Sequence, residues 1–202
     1  MQPIIPLSLY QAIQASDRPT YGDMPDAVDD RVIKLGRTTV VANQIARFER
    51  MVREGRPVVK DELTQLYRIT ARRTDAALVF AEAGRLVGRK IAGKRAGWVR
   101  FMQKLLPSRW GQAYGESTAR KLARKNLGLD VPEQGYSAVV KRPYWFDAGC
   151  SPDVCGMYGS ALAELLRLFT TFDGAMFHVM CAGKGGDRCE WRVTTDDGGV
   201  SK

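Results

Sequence analysis

The sequence predicts an α+β fold in which N-terminal helices pack with a late antiparallel β-sheet. Three observations predict it. Apolar residues recur at three- and four-residue steps from position 38 to about 126, the period of helices with one buried face. The pattern then changes, and "GYSAVVKRPYWFDAG", 135–149, is rich in β-branched and aromatic residues. Near the end, two alternating segments, 174–182 and 187–195, flank a glycine-rich turn, which is a hairpin signal. Helices first and strands late is an α+β order.

Residues 1–37 read as an N-terminal arm: Pro3, Pro6, Pro19 and Pro25 interrupt a stretch without sustained period, leaving room for one short helix around Leu7 to Ala15. A helical extension follows over 38–75. Its first helix, Thr38 to Arg53, repeats Val41, Ile45, Phe48 and Val52 on one face and ends at Gly55 and Pro57. Its second, Lys60 to Thr70, aligns Leu63, Leu66 and Tyr67.

The main domain spans 76–195. "AALVFAEAGRLVGRKIAG", 76–93, sets Ala77, Phe80, Ala81, Gly84, Gly88 and Ile91 on one stripe. Glycine inside a helix costs about 1 kcal/mol relative to alanine, so Gly84 and Gly88 point to a close approach, either of a neighbouring helix or of a ligand. Proline favours a first helical turn, so a further helix starts at Pro107 or Ser108, breaks near Gly115 and ends around Asn126 and Gly128. Pro143 marks an edge or bulge in the β-rich stretch. Leu162, Leu165, Leu166 and Phe169 then form the core stripe of one more helix. Residues 196–202 read as a flexible tail.

A chain of 202 residues suits one domain with an extension and can bury about 70% of its unfolded surface without a covalent staple. No run of 18 apolar residues is present, and "MQPIIPLSLYQAI" lacks a basic leader and a small-residue cleavage site. The expectation is a cytoplasmic protein with reduced thiols, with peripheral contact at the inner membrane left open. The net charge of +9 is uneven. From Ala83 to Gly115 there is no acid, while Arg85, Arg89, Lys90, Lys94, Arg95, Arg100, Lys104 and Arg109 fall inside that window. Such a field suits an anionic ligand or surface, or is a solvated basic face. No zinc-finger spacing, RNA-binding aromatic motif or helix-turn-helix accompanies it, so no specific nucleic-acid partner is expected.

"FHVMCAGKGGDRCEWRV", 177–193, contains the only histidine, His178, and two of four cysteines. With a loop at Lys184 to Gly186, Cys181 and Cys189 lie opposite each other, with Cβ atoms about 4.5–5.5 Å apart. That separation suits two thiolates converging on one zinc ion at about 2.3 Å each. Cys155 arrives from the side and His178 completes a Cys3His set, with Cys150 as the alternative sulfur. The same residues also suit buried inert thiols or a catalytic thiol. One geometric consequence is sharp. His178 and Cys181 are three apart, so a regular strand would point them to opposite faces, and ligation requires a bulge or bend between them.

"VFAEAGRLVGRKIAGKRAG…RFMQKLLPSRW" followed by "CAGKGGDRCEWRV" resembles the 4-vinyl reductase domain family over roughly residues 76–195. One branch of that family belongs to bacteriochlorophyll biosynthesis. The resemblance to it implies a protein that binds or presents a tetrapyrrole. No G-x-G-x-x-G follows a strand, so any reduction would need a partner enzyme or an unfamiliar cofactor site. The other branch comprises aromatic-sensing domains with a structural zinc, whose ligand pattern falls on Cys155, His178, Cys181 and Cys189, with histidine where that branch has an acid. The domains also look like the fold of vesicle-tethering subunits that dimerise through helices, making the Gly84/Gly88 face a candidate homodimer seam.

Trp98, Phe101, Trp110, Tyr114, Tyr144 and Trp145 supply candidate apolar walls for a planar ligand, and Arg95 and Arg100 candidate anchors for its propionates. A zinc-containing aromatic sensor is the alternative. A cysteine-dependent small-molecule hydrolase, with Cys150 or Cys155 as nucleophile and His178 as base, is a further one.

Overall fold

The computed structural model describes residues 2–17, 38–105, 107–133, 135–141 and 152–194. Over these the chain is α+β: α1 (Ile4–Ser16), α2 (Thr39–Glu54), α3 (Lys60–Thr70), α4 (Ala76–Leu105), α5 (Ser108–Leu127), β1 (Ser137–Lys141), α6 (Asp153–Phe169), β2 (Ala175–Met180) and β3 (Arg188–Thr194). Tyr144, Trp145, Cys150 and the marker Pro143 lie outside the described residues, as do 18–37 and the tail from 195.

The expected short helix in a loose arm is instead a core helix. Ile5, Leu9 and Ile13 recur every four residues and are buried with Ala12 in the main core, against α4. Pro3 and Pro6 obscured that period, yet proline is tolerated before and within a first turn, where its missing N–H has no helical partner. The C-terminal end of α1 is fastened by charge. Asp17, nearly fully buried, accepts from the Arg73 guanidinium at 2.7 Å, and Arg73 also donates to Asp75 at 2.8 Å.

Thr38 caps α2, its Oγ1 accepting from the Val41 amide at 3.4 Å, and Gly55 ends it in the left-handed region. Phe48 and Val58 form a small satellite core with Leu7, while Leu63, Leu66 and Tyr67 of α3 join the main one.

Helix α4 packs chiefly on α6. A Cβ at Gly84 would stand 2.2 Å from the Met157 carbonyl oxygen, and one at Gly88 2.8 Å from that of Ala161. The two glycines therefore let two backbones touch, as their spacing suggested. That face is filled by α6 of the same chain, so the expectation of a homodimer seam there does not hold. Glu164 of α6 reinforces the seam, accepting from Arg89 at 2.7 Å.

The helical pattern read over 76–93 ends at a real interruption: Gly93 adopts the non-helical φ 47° and ψ −138°, and the helix resumes beyond this kink to Leu105. One expectation about a break is corrected. Helix α5 continues through Gly115 without a break. A Cβ there would lie 1.9 Å from the Phe169 carbonyl oxygen, so that glycine serves close packing rather than termination. Gln103 ties the same junction, its Nε2 donating to the Phe169 carbonyl at 2.6 Å.

The sheet is antiparallel, order β1-β3-β2, with β3 central. Its fully buried Trp191 meets α6 at Gly159, where a Cβ would lie 2.8 Å from the indole. This contact brings the end of the hairpin to the first turn of α6.

Candidate metal centre

Three thiols and one imidazole meet where the start of α6, the hairpin strands and their turn come together. Cys155 sits in the first turn of α6, its amide donating to the Pro152 carbonyl at 2.9 Å. Cys189 lies on β3 opposite Val140 of β1. His178 lies on β2 opposite Trp191. The ladder then slips, with His178 paired to Trp191 but Met180 to Glu190, so one extra residue is accommodated on β2. This is the bulge that ligation by both His178 and Cys181 requires, since the added residue returns Cys181 to the histidine's side.

After β2 the chain makes a tight knuckle rather than the expected loop at Lys184–Gly186. A 3-10 turn spans Ala182–Lys184, and the Cys181 carbonyl accepts from the amides of Lys184 (3.1 Å) and Gly186 (3.0 Å). Gly185 takes φ 92°, a conformation that glycine adopts without a Cβ clash. At Gly186 a Cβ would sit 2.9 Å from the Cys181 oxygen. The glycines of "CAGKGGDRC" thus fold the chain back sharply enough to bring Cys181 beside Cys189.

The outcome is a compact donor set. One ligand atom from each of Cys155, His178, Cys181 and Cys189 lies within 4.8 Å of every other. The Cys155 and Cys189 sulfurs are 3.6 Å apart, far longer than a disulfide and close to the roughly 3.8 Å edge of a zinc–thiolate tetrahedron. Cys155 and Cys189 are buried (3% and 1% exposed), and Cys181 is half-buried.

Two further observations fit a bound cation. His178 Nε2 is buried with no hydrogen-bond partner among the described residues. A buried polar nitrogen left unpaired costs about 1–3 kcal/mol, and coordination would remove that cost. The Cys189 thiol is held well below its ordinary value by the neighbouring Cys155 sulfur, then by His178 and the Ala182 amide, against the opposing effect of burial. Thiolate is the form a metal binds. The cluster can therefore hold a metal ion.

Trp191 organises two of the ligands and was not singled out by sequence reasoning. Its indole stacks on the His178 ring with centroids 5.3 Å apart and 26° between planes. Its Nε1–H donates to the Cys155 carbonyl at 2.9 Å. The signal was its place two residues after Cys189, on the same face of β3.

The expected ligand-binding residues are placed elsewhere, and those described do not close into one cavity. Trp98, Phe101 and Arg100 are exposed on the part of α4 beyond Gly93, and Trp110 and Tyr114 are exposed on α5. Arg95 is the exception. It lines a cleft of about 360 Å3 at the Gly93 kink with Lys90 and Lys125, over Ile4, Ile91 and Leu122. Burial pushes the Lys90 ammonium down from its ordinary value, partly countered by Glu49. Lys90 belonged to the basic run; Lys125 lies beyond that run, 35 residues after Lys90, and is brought in only by the return of α5 against α4.

Comparison with protein-family models, curated proteins and solved structures gave no match. Among the described residues, no helix is long and apolar enough to cross a membrane.

Proposed function

We propose that this chain is a small-ligand-binding protein whose sheet is closed by a structural zinc ion and whose ligand is an apolar anion seated at the Gly93 kink. The donor set supports the first half. Three cysteines and one histidine form a full tetrahedral complement for zinc, with no position left for water or substrate, which is the arrangement of structural rather than catalytic sites. Zinc there would tie α6 to the hairpin and neutralise the thiolates. The burial of Cys155 and Cys189 speaks against a cysteine nucleophile, which needs access to substrate. A reducing, cytoplasmic compartment would keep these thiols available as ligands.

The cleft carries the second half. Lys90, Arg95 and Lys125 line it with apolar Ile4, Ile91 and Leu122, and among the described residues no acid does. Cations above an apolar floor suit a ligand with a hydrophobic body and a carboxylate edge. A tetrapyrrole with propionates has that chemistry, consistent with the sequence resemblance and with a role in binding or presenting an intermediate of bacteriochlorophyll biosynthesis to a partner enzyme. An aromatic-sensing role would use the same cleft for a phenolic ligand.

An absorption titration with protoporphyrin tests this. A saturable red shift is expected, weakened at least about tenfold by Lys90→Glu, which replaces attraction with repulsion at the carboxylate edge. No spectral change, or a change indifferent to Lys90→Glu and Lys125→Glu, contradicts the reading.

A further inference from the structure

Beyond Gly93, α4 keeps Val99 in the core but presents large apolar side chains to solvent on its other face. Trp98, Phe101 and Leu105 are 60%, 53% and 65% exposed. Their spacing, three then four residues, puts them on one stripe of the helix. The inward positions are taken by buried Val99 and by Gln103, which binds the Phe169 carbonyl. Trp110, on the first turn of α5, is 73% exposed, and Tyr114 follows one turn later. The Trp98 and Phe101 rings stand 5.9 Å apart, tilted at 36° to each other.

Along this stretch of sequence the charge is of one sign. Arg95, Arg100 and Arg109 are exposed, and no acid occurs from Ala83 to Gly115. Glu116, the first acid beyond, is engaged by Arg120 at 3.1 Å and by the Tyr136 hydroxyl at 3.1 Å.

We infer that the α4–α5 hairpin is a docking surface for an anionic lipid bilayer, with Trp98, Phe101, Leu105 and Trp110 entering the interface and the arginines meeting lipid phosphates. Tryptophan favours the headgroup level, where an apolar ring and a polar N–H are both satisfied. A basic helix with an aromatic stripe, too polar to span, lies in the interface plane. A second copy fits less well. A two-fold contact would bring the same arginines of both copies together, with no acid on the patch to pair with them.

Vesicle co-sedimentation of the full chain tests the inference. Binding is expected to vesicles containing phosphatidylglycerol, to be far weaker to phosphatidylcholine alone, and to fall as salt rises. Trp98→Ser with Phe101→Ser should lower the partition coefficient at least about tenfold, with circular dichroism unchanged. Should that pair disturb folding, Arg100→Glu with Arg109→Glu supplies the independent arm, and should abolish the preference for anionic vesicles. Absence of sedimentation, equal binding to both vesicle types, or a wild-type dimer that the serine pair dissolves would each overturn the inference. So would a single-stranded oligonucleotide that binds through the same tryptophans while anionic vesicles do not.

Discussion

The two halves of α4 are built from similar residues and have opposite fates. Before Gly93, Gly84 and Gly88 press the helix onto α6, and Phe80, Ala83 and Val87 vanish into the core. After Gly93, Trp98, Phe101 and Leu105 keep an apolar stripe that no described residue covers. A stripe's periodicity therefore reports a helix and a face, while the presence of a partner depends on residues far away in sequence. The metal-binding corner belongs with the first half: it lies where α6 meets the hairpin, and α6 is the helix on which the inner half of α4 rests.

The largest expected effect lies at that corner. Cys189→Ser should remove the metal and destabilise the fold by at least about 3 kcal/mol in urea unfolding, with Cys155→Ser similar. A chelator should reproduce the loss in the wild type and leave the serine variants unchanged.

The next effect contrasts the halves directly. Gly84→Ala should destabilise by about 1–3 kcal/mol, because a methyl 2.2 Å from the Met157 carbonyl outweighs the gain in helix propensity. Gly97→Ala, beyond the kink and with nothing within 4 Å of the added methyl, should stabilise by about 0.5–1 kcal/mol. A matching sign at the two positions would erase the distinction between the halves.

An effect of about 1–2 kcal/mol is expected from acid at the other end of the core. The Arg73 guanidinium holds the Asp75 carboxyl down from 3.8 to about 2, against burial and with help from Ser16. Its folded value lies below its unfolded one. The stabilisation is thus complete above about pH 4 and fades as pH falls toward 2. In metal-free protein, Asp75→Asn should flatten that acid limb in a urea–pH series.

Much of this was legible in the sequence. Hairpin register set Cys181 opposite Cys189, the resemblance favoured Cys155 over Cys150 as the third sulfur, and the three-residue step between His178 and Cys181 demanded the bulge that β2 contains. The inner seam was legible because two glycines four apart have few other uses in a helix. Other features were not. The burial of α1 was masked by Pro3 and Pro6, whose local cost is small in a first turn. Gly93 and Gly115 carry the same letter yet opposite meanings, a kink and a close approach, and only the position of Phe169 separates them. The cleft required Lys125 to return beside Lys90, which no local pattern encodes.

X-ray absorption at the metal edge of freshly purified, unsupplemented protein, with metal content measured in parallel, tests the central claim most directly. One zinc per chain, with three sulfur scatterers and one imidazole nitrogen, is the predicted result, and His178→Ala should remove the nitrogen signature. Metal-free protein, a shell of four sulfurs, or an oxygen scatterer marking an open position would contradict a closed site made by Cys155, His178, Cys181 and Cys189.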